Sequence, residues 1–270
     1  MNLLVSSLEK ISSGFTFLEG PVWHQDGYLL FSDIPEDKIT RFSQEEGFSI
    51  FRTPSGQSNG LTFDPNGNLI ACEHANRRVS MTLYDGTVIA LAERYQGHRL
   101  NSPNDCVSHS NGTIYFTDPP YGIQVDQKEL DFNGIFRVSP GKESVLLNRD
   151  FERPNGLVFS PDEKFLYVAD TQRETIFRFF VTPSGDLEDE TQFAAVGRPD
   201  GMKVDRDGNL FVASTEGIVT FNYQGDRISI LEMQERPSNC AFGERDFKTL
   251  YITARTGLYR IRIHTPGITV

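Results

Sequence analysis

The feature that most constrains this chain is an internal repeat that returns six times. Each copy has a polar head, a short apolar strand, a turn rich in Asp, Gly and Asn, and a second apolar strand. The copies read EGPVWHQDGYLLFSD from Glu19, NGLTFDPNGNLIACE from Asn59 and NDCVSHSNGTIYFTD from Asn104. They continue with NGLVFSPDEKFLYVAD from Asn155, DGMKVDRDGNLFVAS from Asp200 and NCAFGERDFKTLYITA from Asn239. The heads stand 40, 45, 51, 45 and 39 residues apart. A four-stranded propeller blade takes roughly 40–50 residues. The spacing therefore predicts an all-β, six-bladed β-propeller of four-stranded blades, with residues 1–270 as a single domain. The outer two strands of each blade fall between the repeats, as in DKITRFS followed by GFSIFRT. No segment keeps a 3.6-residue period over about ten residues, so helices are expected to be nearly absent. A β-sandwich of this length is the alternative, but it has no need of six matched copies.

The last head leaves only residues 240–270 for its blade. That is enough for three strands, around CAFG, TLYITA and GLYRIRI. The fourth is expected to be the N-terminal segment Leu3–Ile11, so that the two ends of the chain close the ring and no raw sheet edge remains.

In a propeller the first strand of each blade lines the central channel. Glu19, Asn59, Asn104, Asn155, Asp200 and Asn239 then form a ring around the axis, and all six carry a side-chain oxygen. Short polar residues favour strand starts for local hydrogen bonding, which accounts for an Asn or two. It accounts poorly for Glu19 and Asp200, because converging carboxylates repel one another. A divalent cation would remove the repulsion. Oxygen donors without Cys or clustered His suit a hard ion: calcium first, with magnesium, manganese and zinc as the alternatives. The second strand runs back to the same face, so Asp33, Glu73, His74, Asp118, Asp170, Ser214, Thr215 and Arg255 should rim the mouth. Asp33, Asp118 and Asp170 are read mainly as carboxylates that tie down turns. His74 and Arg99, in the loop RLNSPND, are candidate substrate contacts, as are Asn59 and Asn104.

The composition removes several classes of function. A formal net charge of -11 argues against nucleic acid and anionic membrane surfaces. No run approaches the roughly 20 apolar residues of a membrane-spanning helix. The N-terminus lacks the basic start and apolar stretch of a signal peptide. The three cysteines, Cys72, Cys106 and Cys240, have no metal spacing and read as core residues of a protein in a reducing compartment. A cytoplasmic monomer or weak oligomer is expected. Nucleotide loops, a GxSxG elbow and a His-Glu-x-x-His helix are all missing.

The motifs LEGPVW, RLNSPNDCV, YFTDPPYG, RPNGLVFSPD and RPDGMKVDRDGNLFVA occur in this order between about Glu19 and Thr215. With them the chain resembles the senescence marker protein, gluconolactonase and luciferin-regenerating enzyme family, above all its bacterial gluconolactonase-like members. A more remote similarity is to diisopropyl fluorophosphatase. The resemblance implies a six-bladed propeller with one divalent metal, usually calcium, held by Glu19, Asn104, Asn155 and Asp200. Asn59 and Asn239 are then lining residues. The phosphotriesterase branch carries an acid near a second calcium where this chain has Lys203, which argues against both here. The implied activity is metal-dependent opening of a sugar lactone, a small-molecule substrate, with Asp200 as general base. The competing readings are a phosphotriesterase or other esterase, and a calcium-binding propeller without catalysis. Fold alone does not choose among them.

Overall fold

The computed structural model describes residues 3–268 and consists almost entirely of strands. Six four-stranded antiparallel sheets follow one another along the chain as the blades of a propeller. Blade one is built from Leu18–His24, Tyr28–Asp33, Lys38–Ser43 and Gly47–Arg52. Blades two to five begin at Ser58, Cys106, Pro154 and Met202, and blade six begins at Asn239. Two insertions depart from this plan, a short hairpin pairing Arg94–Tyr95 with His98–Arg99 and a single 3-10 turn at Val125–Gln127. That turn is the only helical element among the described residues.

Burial along each blade explains the strand patterning. Inner strands are buried on both faces, as in Leu69–Glu73 and Leu210–Ser214, while the outermost strands, such as Gly47–Arg52, are largely exposed. The core is therefore six interfaces between neighbouring blades. Alternating side chains of one strand serve two of them: Leu29 and Phe31 pack towards blade six, and Leu30 towards blade two. Cys72 and Cys106 sit together in the interface of blades two and three, and Cys240 in that of blades five and six. All three are free and buried, as expected. The turns of the repeat are closed by their own aspartates. Asp64 accepts from the Asn66 and Asn68 amides at 2.9 and 2.8 Å, and Asp205 does the same for Asp207 and Asn209 at 3.0 and 2.8 Å.

At the axis, each blade is stitched to the next by a hydrogen bond at or beside a head residue. Ser32 Oγ donates to the Asn59 carbonyl at 2.8 Å, and the Gly60 amide to the Asn104 carbonyl at 2.8 Å. Thr117 Oγ1 reaches the Asn155 carbonyl at 2.8 Å, and Thr171 Oγ1 the Pro199 carbonyl at 2.7 Å. The Gly201 amide meets the Ser238 carbonyl at 2.8 Å, and Ser238 Oγ closes the circle on the Leu18 carbonyl at 2.6 Å. All six junctions are joined. Strands this close leave little room for side chains. A Cβ on Gly201 would run into the Asn239 carboxamide, and Gly20, at φ +50°, lies against the Asn59 carbonyl.

The ring is closed by the N-terminal strand, although not over Leu3–Ile11 as the sequence suggests. The closing strand is Glu9–Ser13, with Ile11 bulged between the Lys10–Tyr259 and Ser12–Leu258 pairs. Ahead of it the chain meets blade six through an isolated Leu4–Ile263 bridge and bonds such as Val5 N to the Arg262 carbonyl at 2.9 Å rather than through a continuous strand ladder. Leu4 and Leu8 turn into the interface of blades five and six, which draws this stretch off the strand path. Arg260 clasps Glu9 through Nε and Nη2, which donate to its two carboxylate oxygens at 2.8 and 3.1 Å. Removing residues 1–13 should lower the whole cooperative melting transition by on the order of 10 °C or more. A thermal scan with an unchanged midpoint would contradict closure by this strand.

Candidate active site

The head residues open onto one end of the channel. Glu19, Asn59, Asn104, Asn155 and Asp200 line a cavity of about 220 Å³, together with Phe17, Ile34, His74, Tyr121, Thr171, Arg198, Arg236 and Arg255. Asn239, the sixth head, lies below the floor. Its Nδ2 is shared between Glu19 Oε2 at 3.3 Å and Asp105 Oδ2 at 3.4 Å. Glu19 Oε2 also accepts the Gly20 amide at 3.0 Å, while its Oε1 has no hydrogen bond among the described residues. Asn155 Nδ2 donates to Thr171 Oγ1 at 3.1 Å and to Tyr121 Oη at 3.4 Å, which leaves its Oδ1 unbonded. The Asn104 carboxamide makes no hydrogen bond among the described residues, although its backbone is fixed between Thr117 and Gly60. Several oxygen donors therefore face the cavity without partners.

Electrostatics sharpen the picture. Burial raises the Glu19 carboxyl well above the ordinary range, and the neighbouring Asp200 and Asp105 push it further. Burial lifts Asp200 to about 7, against the pull of Arg236 and Arg198 and a bond from Asn155. Burial also raises Asp105, which Lys203 partly offsets. Two carboxylates and two carboxamides at one cavity floor, with like charges opposed, form a donor set that a hard divalent ion fits. Among the described residues no three His, Cys, Asp or Glu side chains gather as a metal cluster, so such an ion would depend on the amide oxygens. Lys203 places the chain's own positive charge beside Asp105.

The rim carboxylates position the loops that carry the heads. Asp33 accepts the Thr16 and Phe17 amides at 3.1 and 3.0 Å, just before Glu19. Asp118 accepts those of Asn101 and Ser102 at 2.7 and 2.8 Å, just before Asn104. Asp170 accepts those of Glu152 and Arg153 at 2.8 and 3.1 Å, just before Asn155. The turn-tying role expected for these three is what the bonds describe. Glu73 instead anchors Arg52 at 2.9 Å and Arg78 at 2.7 Å.

His74 lines the cavity, and its Nε2 lies 3.3 Å from Asn59 Nδ2. Arg99 does not line it. The closing hairpin carries Arg99 aside, where its amide donates to Glu129 at 2.8 Å and its Nη2 to the Asn76 carbonyl at 3.0 Å. The arginines that do line the cavity are Arg198, Arg236 and Arg255. Of these only Arg255 stood out in the sequence, yet a signal was present. Arg153-Pro154, Arg198-Pro199 and Arg236-Pro237 are Arg-Pro pairs placed just ahead of the heads of blades four, five and six. Tyr121, in the loop that follows Asp118, lies within the YFTDPPYG motif but had no site role assigned to it. A second cavity of about 770 Å³ occupies the opposite end of the channel, walled by Trp23, Phe63, Phe159 and Phe242.

A six-bladed propeller with a ring of oxygen donors beneath a small cavity is the class that fold and site define. The profile of the SMP-30/Gluconolactonase/LRE-like region matches residues 17–256, and the chain belongs to that family. A gluconolactonase of Zymomonas mobilis is 34% identical, over 96% of this chain and 82% of the relative. A gluconolactonase structure from Xanthomonas campestris superposes with a TM-score of 0.89 at 32% identity, covering 95% of this chain and 89% of that one. A calcium-binding protein, regucalcin, from Agrobacterium tumefaciens superposes with a TM-score of 0.81 at 20% identity, covering 95% and 93%, and shares the fold.

Burial holds the His74 imidazole down at about 4, so it is neutral at pH 7. The unfolded chain takes up this proton near 6.5, whereas the folded one resists until about 4. Below the ordinary value the unfolded state binds more protons, and stability falls as the pH drops through that window. At about 1.4 kcal/mol per pH unit, the loss reaches about 3 kcal/mol at pH 4. The melting temperature of His74→Gln should therefore fall less between pH 6.5 and 4.5 than that of the parent. Parallel curves would contradict a buried neutral imidazole.

Proposed function

We infer that the chain hydrolyses sugar lactones, and propose that it does so with one divalent ion held by Glu19, Asn104, Asn155 and Asp200. The observation that carries the reading is the convergence of these four side chains on one cavity floor, with unbonded oxygens facing inward and two carboxyl groups opposed. The Zymomonas and Xanthomonas relatives, both gluconolactonases above 30% identity, support the substrate class. Calcium is the first choice of ion, since it accepts mixed carboxylate and amide oxygens. The regucalcin neighbour is described as calcium-binding, which agrees with that choice, although the donor set of this cavity carries it.

When bound, the ion would act as a Lewis acid that polarises the lactone carbonyl. The chain's own residues do the rest. Asp200 takes a proton from a water molecule as that water's oxygen bonds to the carbonyl carbon. The ring C–O bond then breaks, and the ring oxygen leaves as a hydroxyl group carrying the proton returned to it. The product is the open hydroxy acid. Burial raises the Asp200 carboxyl in the ion-free site, whereas a bound cation would hold it ionised and able to accept that proton. Phe17 and Ile34 give the cavity an apolar wall that a sugar ring can rest against. Asn59, hydrogen-bonded to His74, and His74 itself offer polar contacts to the ring hydroxyls. The structure gives Arg99 no place in this set, and the proposal omits it.

Asp200→Asn keeps the size and one donor oxygen but removes the proton acceptor. At saturating metal, kcat for gluconolactone should fall by about 10²–10⁴-fold, whereas Asn59→Ala should cost far less. Near-parental turnover of Asp200→Asn at saturating metal would reduce Asp200 to a ligand and move the base elsewhere.

A further inference from the structure

The cavity mouth is electrically lopsided. Arg198, Arg236 and Arg255 line it from blades five and six, and Arg153, ahead of blade four, holds its guanidinium 5.0 Å from the ring of Tyr121, another lining residue. Three of the four come from the Arg-Pro pairs that enter the heads of blades four, five and six, where the fixed φ of proline sets the approach. None of the four guanidinium groups forms an ion pair among the described residues. Arg236 donates only to the Arg198 carbonyl, at 3.2 Å. Other arginines of this acidic chain are matched with carboxylates, such as Arg260 with Glu9 and Arg262 with Asp246, and those without an ion pair among the described residues, such as Arg206 and Arg245, do not line this cavity. Blades one and two bring the uncharged Phe17, Ile34 and a neutral His74 to the same lining.

Asp200 and Glu19 are the carboxylates that line the same cavity as these arginines. If a divalent ion offsets Glu19 and Asp200, the arginines are left without a counter-charge. Guanidinium groups converging on a cavity suit a phosphate, sulfonate or carboxylate, which they bind through paired hydrogen bonds. A positive mouth on a molecule of net charge -11 would also concentrate anions at this one place. We propose that the preferred substrate is a sugar lactone bearing an anionic group away from its ring carbonyl, held by Arg198, Arg236 and Arg255. The inference rests on the lactonase reading and specifies its substrate. It explains why the arginines gather on one side only: the carbonyl must sit over the ring of heads while the anionic end lies towards blades five and six.

The test compares glucono-1,5-lactone with the same lactone carrying a 6-phosphate or a 6-sulfonate, on the metal-loaded enzyme. At least one anionic lactone should show kcat/KM about tenfold or more above the neutral parent, equivalent to about 1.4 kcal/mol. The preference should shrink as ionic strength rises. In Arg236→Met and in Arg255→Met the ratio of anionic to neutral kcat/KM should drop about tenfold, with Arg236→Lys retaining part of it. Arg255 is exposed, so its replacement leaves the folded protein available for the comparison. The larger response between the two anionic lactones identifies which group the arginines fit. A neutral lactone opened as well as or better than both anionic ones, or ratios untouched by the substitutions, would overturn the inference and leave the lactonase reading standing. No turnover of any of the three would overturn both.

Discussion

The circle of hydrogen bonds at the axis is the constraint on which the rest depends. Six inner strands approach so closely that each can be joined to the next by one short contact, from Ser32 to Asn59 around to Ser238 and Leu18. That proximity admits only small residues behind several heads, which is why Gly20, Gly60, Gly156 and Gly201 stand there. The same proximity brings the side chains of the heads together. The polar floor is therefore a consequence of closing the ring and needs no separate scaffold. Because the bonds are made by backbone or by Ser and Thr hydroxyls, the head side chains remain free to face the cavity.

This arrangement concentrates charge. Glu19 and Asp200 share a cavity floor, with Asp105 beneath them, and burial alone disfavours their ionised forms. Positive charge can come from three sources: Lys203 on the inner side, the arginines at the mouth, and the divalent ion proposed to bind between them. Lys203 and the arginines belong to the chain, and each acts on a different carboxyl group. The ion is the only one of the three that would touch Glu19, Asn104, Asn155 and Asp200 together. The site is thus layered along the axis, with the Lys203 ammonium below, the ring of oxygen-bearing heads in the middle and a cationic lip above.

Most of the fold was legible because a repeat turns one weak pattern into six agreeing ones. The six heads could be picked out because they occupy the same place in each copy, the family resemblance narrowed them to Glu19, Asn104, Asn155 and Asp200, and the structure lines one cavity with these four and Asn59. Asp33, Asp118 and Asp170 were legible for the same reason, as strand ends opposite incoming loops. What escaped lies outside the repeat. Arg99 looked well placed because it precedes Asn104, but the hairpin before blade three swings it onto Asn76 and Glu129. Tyr121 reaches the cavity from a loop whose path no periodicity describes. The start of the closing strand was shifted because Leu4 and Leu8 answer to the interface of blades five and six and not to strand alternation.

The central claim is that the four heads bind one divalent ion together. Crystals soaked in manganese, with anomalous scattering recorded at its absorption edge, test this most directly. The account predicts a single strong peak on the propeller axis, in contact with side-chain oxygens of Glu19, Asn104, Asn155 and Asp200, and displaced by an excess of calcium. A peak elsewhere, or none at the heads at saturating manganese, would contradict it.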